Sequence, residues 1–157
     1  MATQLSTGFA TAILGDKSFA GIFAGGCIEI YSGTQPANAD IAASGNLLAR
    51  VTRNGGTWTP GSPANGLLFQ NGGRYVAFDP SHEYRLAGLA TGTAGWFRLV
   101  SSAADGSVAS TSLPRIDGAI GLDDNSPGDF QMRLPTLSIT PTTLISIPSA
   151  WWAIPPL

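Results

Sequence analysis

Charged side chains are scarce in this sequence. Only 11% of its 157 residues are charged, whereas a typical soluble domain has about 25%. Lysine occurs once, at Lys17, and the arginines stand singly along the chain rather than in a run. A protein that binds nucleic acid needs clustered positive charge to neutralise phosphates. The sequence therefore predicts no nucleic-acid partner. It leaves open whether the weakly charged surface belongs to a monomer or is covered by neighbours in an assembly.

Cysteine and histidine each occur once, as Cys27 and His82. A single cysteine excludes an internal disulfide and a zinc cage made of thiolates. A catalytic Cys–His pair is formally possible. However, Cys27 lies in a predicted strand, without a helix N-terminus or a neighbouring cation that would lower the pKa of its thiol. We therefore interpret Cys27 as a buried structural thiol and His82 as a turn residue.

Motifs of catalytic and cofactor-binding sites are missing as well. The sequence contains no serine nucleophile elbow, no phosphate-binding glycine loop and no dinucleotide fingerprint. The acidic loop 123–129 resembles only the first half of a calcium loop, because Pro127 occupies a ligand position and Leu134 stands where a bidentate glutamate belongs. Asp117 and Asp123 are a carboxylate pair of the kind glycosidases use, but scattered acidic residues always offer such pairs. We expect no enzymatic activity, no metal and no cofactor.

No apolar run is long and uninterrupted. The stretch from Phe9 to Ile30 is broken by Asp16, Lys17 and Glu29 and by several glycines, so it is a poor membrane span. No lysine or arginine precedes Lys17, so the basic start of a secretory signal is missing. The sequence predicts synthesis in the cytoplasm and no membrane partner.

The N-terminal segment 1–26 is predicted to contain one short helix and a connection. Apolar side chains recur at four-residue spacing between residues 3 and 14, which is the spacing of one helix face. Thr3 is positioned to cap the start and Gly15 to end the helix, and residues 18–26 form a connection or one more helical turn. The apolar positions of this face are Leu5, Phe9 and Ile13.

From residue 27 onward the apolar pattern has a period of two, which indicates strands. The chain has 43% hydrophobic residues, 20 glycines and 11 prolines, a composition that suits short strands joined by tight turns. These features predict a mainly β chain, with a single β-sandwich or jelly-roll-like domain over residues 27–147. Predicted strands cover 27–31, 47–53, 116–122, 130–134 and 137–147, with hairpins at Asn71-Gly72-Gly73 and, most clearly, between 83–90 and 94–101 around Thr91-Gly92-Thr93.

Residues 148–157 are expected to form an apolar arm rich in tryptophan and proline. Chain ends are usually polar and frayed unless they are tied down. Either the segment closes the chain's own core as a final edge segment, or Trp151 or Trp152 anchors another subunit, since tryptophan is enriched at interface centres. The interface residues predicted from the helix and the arm together are Leu5, Phe9, Ile13, Trp151, Trp152, Ile154 and Leu157.

A run in the first third of the chain resembles a segment of small structural proteins of tailed bacteriophages and prophages. The run reads Ile28-Glu29-Ile30-Tyr31-Ser32-Gly33-Thr34-Gln35-Pro36 and continues through Asp40 to Gly45-Asn46-Leu47-Leu48-Ala49. In those proteins it follows a short helix and a Gly-Gly pair. The resemblance covers about residues 3–52 and carries no catalytic meaning. It implies a virion component, with capsid cement (decoration) proteins of β-sandwich or jelly-roll fold as the first choice.

As a cement protein, the chain is expected on the capsid surface, clamping neighbouring major capsid subunits and stabilising the shell. Its expected partners are the major capsid protein and copies of itself, in a homodimer or homotrimer. The alternatives are a tail, adaptor or fibre-associated protein, including a glycan-binding β-sandwich module. In that module, exposed Trp58, Trp96 and Tyr75 would stack on sugars.

Overall fold

The computed structural model describes residues 3–125 and 127–153. The chain begins with β1 (Gln4–Leu5), α1 (Thr7–Leu14) and α2 (Phe19–Phe23). The strands that follow are β2 (Cys27–Ser32), β3 (Leu47–Arg53), β4 (Phe69–Asn71), β5 (Tyr75–Phe78), β6 (Tyr84–Gly88), β7 (Gly92–Val100), β8 (Arg115–Leu122), β9 (Met132–Leu134), β10 (Ser138–Ile139), β11 (Leu144–Ser146) and β12 (Trp151–Ala153). The prediction of a mainly β fold with a short helix near the N-terminus is confirmed.

The strands form two sheets that share one core. The larger sheet has the order β1-β8-β7-β2-β3-β6-β11, with β9 beside β8 and β10 beside β7, and the smaller sheet has the order β12-β5-β4. Every pairing is antiparallel except that of β8 with β9. The core between them combines large-sheet residues such as Ile28 and Leu99 with Phe78 of the small sheet and Phe9 and Phe23 of the helices. Within the described residues, neither helix is long and apolar enough to cross a membrane.

The first helix starts later than predicted. Residues 4–5 pair with β8, where Gln4 faces Asp117, so their backbone groups belong to a sheet. The hydroxyl of Ser6, rather than that of Thr3, accepts the amide of Phe9 at 3.0 Å and caps α1. Gly15 ends α1 as predicted.

One predicted hairpin is confirmed and the one judged clearest is wrong. β4 and β5 flank Asn71-Gly72-Gly73, and the amide of Gly72 donates to Tyr75 at 2.9 Å. By contrast, β6 and β7 are not neighbours, because β2 and β3 lie between them. β2 pairs with β7 on one edge and β3 on the other, so the chain crosses the sheet instead of turning back at Thr91-Gly92-Thr93.

The two faces of the large sheet are covered differently. Ile28 of β2, with its cross-strand partners Val51 and Leu99, faces the shared core. The alternate residues of the same strands face the loops 33–46 and 101–114, which hydrogen-bond to them from above. Both faces are therefore buried at the sheet centre, which explains why five successive residues of β2 are buried.

Candidate functional site

A row of alternating charges crosses four neighbouring strands under the loops. Arg50 of β3 lies opposite Glu29 of β2, Glu29 lies opposite Arg98 of β7, and Arg98 lies opposite Asp117 of β8. Arg98 and Asp117 are fully buried and Glu29 is nearly so. Because cross-strand partners lie close together, each buried charge has an opposite charge beside it.

Hydrogen bonds join these charges into pairs. Nε and Nη2 of Arg98 donate to the two carboxylate oxygens of Asp117, both at 2.8 Å. Burial would lower the pKa of Arg98, but the hydrogen bonds and charge of Asp117 outweigh it and raise that pKa. Arg50 donates to Oε1 of Glu29 at 3.1 and 2.9 Å. Bonds to both oxygens of Asp117 fix the orientation of the Arg98 guanidinium, whereas both bonds of Arg50 go to one oxygen of Glu29.

The same layer ties down both covering loops. Arg98 also donates to the carbonyl of Ile41 at 3.1 Å. Arg115, fully buried beside this row, donates to the carboxylate of Asp105 at 2.8 and 2.6 Å and to the carbonyl of Val108 at 2.6 Å. Ser107 donates to Oε2 of Glu29 at 2.9 Å. The loops are thus anchored to the sheet by charge-assisted bonds.

This buried charge layer was not predicted. The available signal was a charged residue with apolar neighbours on both sides along a strand, as with Glu29 between two isoleucines and Arg98 between Phe97 and Leu99. Where apolar and polar residues alternate along a strand, the polar ones are normally assigned to the solvent-facing side of the sheet. The alternation does not show whether loops cover that side.

An apolar cleft of about 1280 Å³ opens on the other side of the molecule. The cleft is lined by residues of β1, of both helices, of the segment 146–153 and of the segment 131–135 that contains β9. All five predicted interface residues that the structure describes line this one cleft: Leu5, Phe9, Ile13, Trp151 and Trp152.

The N-terminal wall divides into a buried and an exposed part. Phe9 stacks on Phe23 with ring centres 5.4 Å apart and belongs to the chain's own core. Its side chain is therefore not available to a neighbouring subunit, which corrects the prediction for this residue. Leu5 and Ile13 remain 53% and 36% exposed and form what we call the N-terminal rim of the cleft.

The opposite wall is the edge strand β12. Trp152 points inward, with its ring centre 5.0 Å from that of Phe19 and 5.7 Å from that of Phe69. Trp151 points outward and is 67% exposed. Within the predicted arm, residues 151–153 therefore form an edge strand of the small sheet rather than a free extension. Ile154 and Leu157 lie outside the described residues.

Cys27 and His82 lie in different environments. Cys27 is fully buried against Trp58 and Val100, and burial, followed by the negative charge of Glu29, raises the pKa of its thiol. His82 is exposed in a turn, where its amide donates to the carbonyl of Asp79 at 3.2 Å. The thiol is held in its neutral, weakly nucleophilic form.

The structure shows the contacts of the acidic loop 123–129 and of the carboxylate pair Asp117 and Asp123. Arg133 donates to the carbonyl of Leu122 at 2.8 Å and to that of Gly128 at 3.3 Å, so a guanidinium bridges the two ends of the loop. In the described part of the chain, no group of three metal-ligating side chains is close enough to hold an ion. Asp117 is bound by Arg98 whereas Asp123 is exposed, so the two carboxylates do not share one environment.

Two of the three aromatic residues expected to stack on sugars are buried. Trp96 is completely covered, stacks on Tyr31 at 4.7 Å and donates to the carbonyl of Ser44 at 3.3 Å. Trp58 donates to the carbonyl of Gly25 at 2.9 Å beneath Arg50. Neither ring can reach a ligand in solvent, so the predicted stacking surface is wrong at these positions.

Comparisons of the chain with protein-family models, curated proteins and solved structures gave no match.

Proposed function

We propose that the chain is a structural component of a tailed-phage particle, and specifically a capsid cement protein. The observation that carries the proposal is the run from Ile28 to Ala49, which resembles small phage structural proteins. In this fold the run builds β2, its covering loop and the first half of β3. It therefore lies at the centre of the large sheet.

The rigidity of the body supports this role. A cement protein strengthens a shell only if it resists deformation when neighbouring subunits are pushed apart. The large sheet is covered on both faces, and Arg98 and Arg115 bind its loops to its strands by hydrogen bonds of 3.1 and 2.6 Å. Buried charged groups that are paired in this way have few alternative arrangements.

The N-terminal rim supplies a docking surface to the capsid subunit. Leu5 and Ile13 are partly exposed beside the cleft, and Leu14 at the end of α1 is 86% exposed. Exposed apolar clusters of this kind mark sites of protein contact. Because the rim carries no charged side chain at these positions, its binding depends on apolar burial, at about 25 cal/mol per Å².

The chemistry of the candidate catalytic residues favours a structural role over an enzymatic one. Burial and a raised pKa keep the Cys27 thiol protonated, and His82 lies on an exposed turn. The glycan-binding alternative loses Trp58 and Trp96 and keeps only the exposed Tyr75.

The location of the chain in the particle is tested by immunogold labelling of phage particles prepared from the organism that encodes it. We expect gold on the heads of intact particles. Gold confined to tails would transfer the proposal to a tail or adaptor role. Purified particles that contain none of the chain would overturn the proposal.

The docking surface is tested by co-sedimentation of the purified chain with shells that lack it. Leu5→Glu and Ile13→Glu should each weaken binding several-fold, and Val108→Glu, at a residue of similar exposure on a covering loop, serves as the matched control. Binding should depend little on salt, because eight basic residues without a cluster give no steep electrostatic contribution. Binding that is unchanged in both rim variants would exclude the N-terminal rim.

A further inference from the structure

The outer edge of β12 is unpaired within the part of the chain that the structure describes, since β12 ends the sheet β12-β5-β4. The amide of Phe78 in β5 donates to the carbonyl of Ala150 at 3.0 Å. Antiparallel ladders alternate between residues that exchange hydrogen bonds with the neighbouring strand and residues that do not. Trp152 therefore directs its backbone groups at β5, whereas Trp151 and Ala153 direct theirs away from it. Exposed edges of this kind are templates for a further strand.

We propose that β12 pairs with β12 of a second copy, antiparallel about a two-fold axis that passes beside Trp152. In this register Trp151 of each copy lies opposite the partner's Ala153. These are the residues whose amide and carbonyl groups point outward, so each of the two pairs exchanges two backbone hydrogen bonds. The two small sheets then become one continuous six-stranded sheet. The same patch is used by both copies, as two-fold symmetry requires.

The side chains on the outer face of the small sheet fit the same register. Trp151 faces Ala77 and Ala153 faces Tyr75 across β5, so these four residues share one face. Trp151 and Tyr75 are exposed, while the small Ala153 leaves space beside it. Across the axis, Trp151 of one copy extends over the partner's Ala153 toward the partner's Tyr75. Charge is absent from these four positions, so two copies of the face do not repel each other.

The exposed aromatic area suits a second copy that pairs reversibly. Trp151 and Tyr75 together expose roughly 250 Å² of aromatic surface per copy, about a third of the ~800 Å² that one partner buries in a standard interface. We therefore expect a dimer whose formation depends on concentration in the isolated protein. On a symmetric shell, simultaneous attachment of both copies would strengthen this contact.

The test is sedimentation equilibrium of the isolated chain over a hundredfold range of concentration. The mass should rise from the monomer value of 16.1 kDa toward twice that value. Ala153→Pro removes an outward amide and Trp151→Lys places two positive charges near the axis, so each should weaken the dimer at least tenfold. Leu144→Lys, on the edge strand β11 of the other sheet and similarly exposed at 57%, should leave it unchanged.

If Ala153→Pro lowers the unfolding midpoint, its effect on the dimer could come from loss of folding. Trp151→Lys then provides the test, because Trp151 is mostly exposed in the monomer and its replacement should not disturb the fold. A chain that stays monomeric throughout the range overturns the proposal, as does a dimer that survives Trp151→Lys or one that is lost in Leu144→Lys. No particle takes part in this experiment. Its failure therefore leaves the proposed attachment through the N-terminal rim standing, and failure of that attachment leaves the dimer standing.

Discussion

Arg98 and Asp117 face each other across β7 and β8 as a two-pronged ion pair, with both donor–acceptor distances at 2.8 Å and neither side chain accessible to solvent. Nη1 of Arg98 has no hydrogen-bond partner among the described residues, and its guanidinium lies 5.3 Å from the ring centre of Trp96. Removing charged groups from water is costly. Each member of the pair is therefore tolerated in the interior because of the other.

Removing one member of this pair should destabilise the fold far more than removing an exposed pair. Asp117→Asn should lower the free energy of unfolding by about 3–5 kcal/mol, because it leaves Arg98 charged and uncompensated. The double variant Arg98→Met/Asp117→Asn should lose much less than the sum of the single changes. Urea unfolding of Asp117→Asn, Arg98→Met and the double variant measures these losses.

The matched control is the exposed pair of Arg85 and Glu83, joined at 2.6 Å. Glu83→Gln should cost less than about 1 kcal/mol, as is usual for exposed pairs. Equal losses in Asp117→Asn and Glu83→Gln would show that the buried pair contributes nothing particular to stability.

Acid should weaken the attachment of the loop 33–46 to α1. Hydrogen bonds from the hydroxyl and amide of Thr7, at 2.6 and 2.8 Å, hold the pKa of Asp40 below its usual range. A carboxyl whose pKa is lower in the folded state stabilises the fold above its ordinary pKa of about 3.9, and this contribution disappears as pH falls through the folded pKa.

The expected result is a loss of stability below about pH 4 that is shallower in Asp40→Asn, measured by urea unfolding at a series of pH values. Asp123→Asn, at an exposed acidic residue, is the control and should retain the slope of the original chain. A slope unaltered by Asp40→Asn would contradict the role of Asp40.

Replacing Trp151 or Trp152 by alanine should have very different effects on the stability of the monomer, although the two residues are adjacent. Trp152→Ala removes contacts with Phe19 and Phe69 and should cost about 2–3 kcal/mol, somewhat below the range for a fully buried tryptophan. Trp151→Ala should change the stability of the monomer by no more than about 0.5 kcal/mol. Thermal unfolding at low protein concentration keeps self-association out of the comparison.

Deleting residues 148–157 extends this comparison. Because β12 covers aromatic side chains of the core, the shortened chain should unfold at a lower temperature and less cooperatively. A shortened chain that kept its original transition would restore the interpretation of this segment as a free arm.

Cys27 and His82 should be dispensable for attachment to shells. In the folded chain, thiol reagents should react with Cys27 only after unfolding, because its side chain is fully buried. Cys27→Ala should cost about 1 kcal/mol and His82→Ala less. The double variant should bind shells like the original chain in co-sedimentation. Loss of binding by a stably folded double variant would contradict the non-enzymatic proposal.

Strand positions could be predicted from the sequence because the signal is local. The alternation around Ile28 and Ile30, the stretch Leu47–Arg53 and the turn at Asn71-Gly72-Gly73 depend on neighbouring residues alone. Strand pairing could not be predicted in the same way. β2 pairs with both β3 and β7. These two antiparallel ladders place β2 and β3 between β6 and β7, so the turn residues Thr91-Gly92-Thr93 do not form the predicted hairpin.

The candidate site residues show the same difference between local and non-local information. The apolar residues Leu5, Ile13, Trp151 and Trp152 were recognisable by their type, but only the packing of β12 on β5 showed that one tryptophan points inward and its neighbour outward. Composition and periodicity predict a weakly charged, strand-rich chain with a short N-terminal helix, because both patterns extend over only a few residues. The meeting of Arg98 with Asp117 and the loops over the second face of the sheet are visible only in the folded chain, because these contacts join residues that strand register brings together.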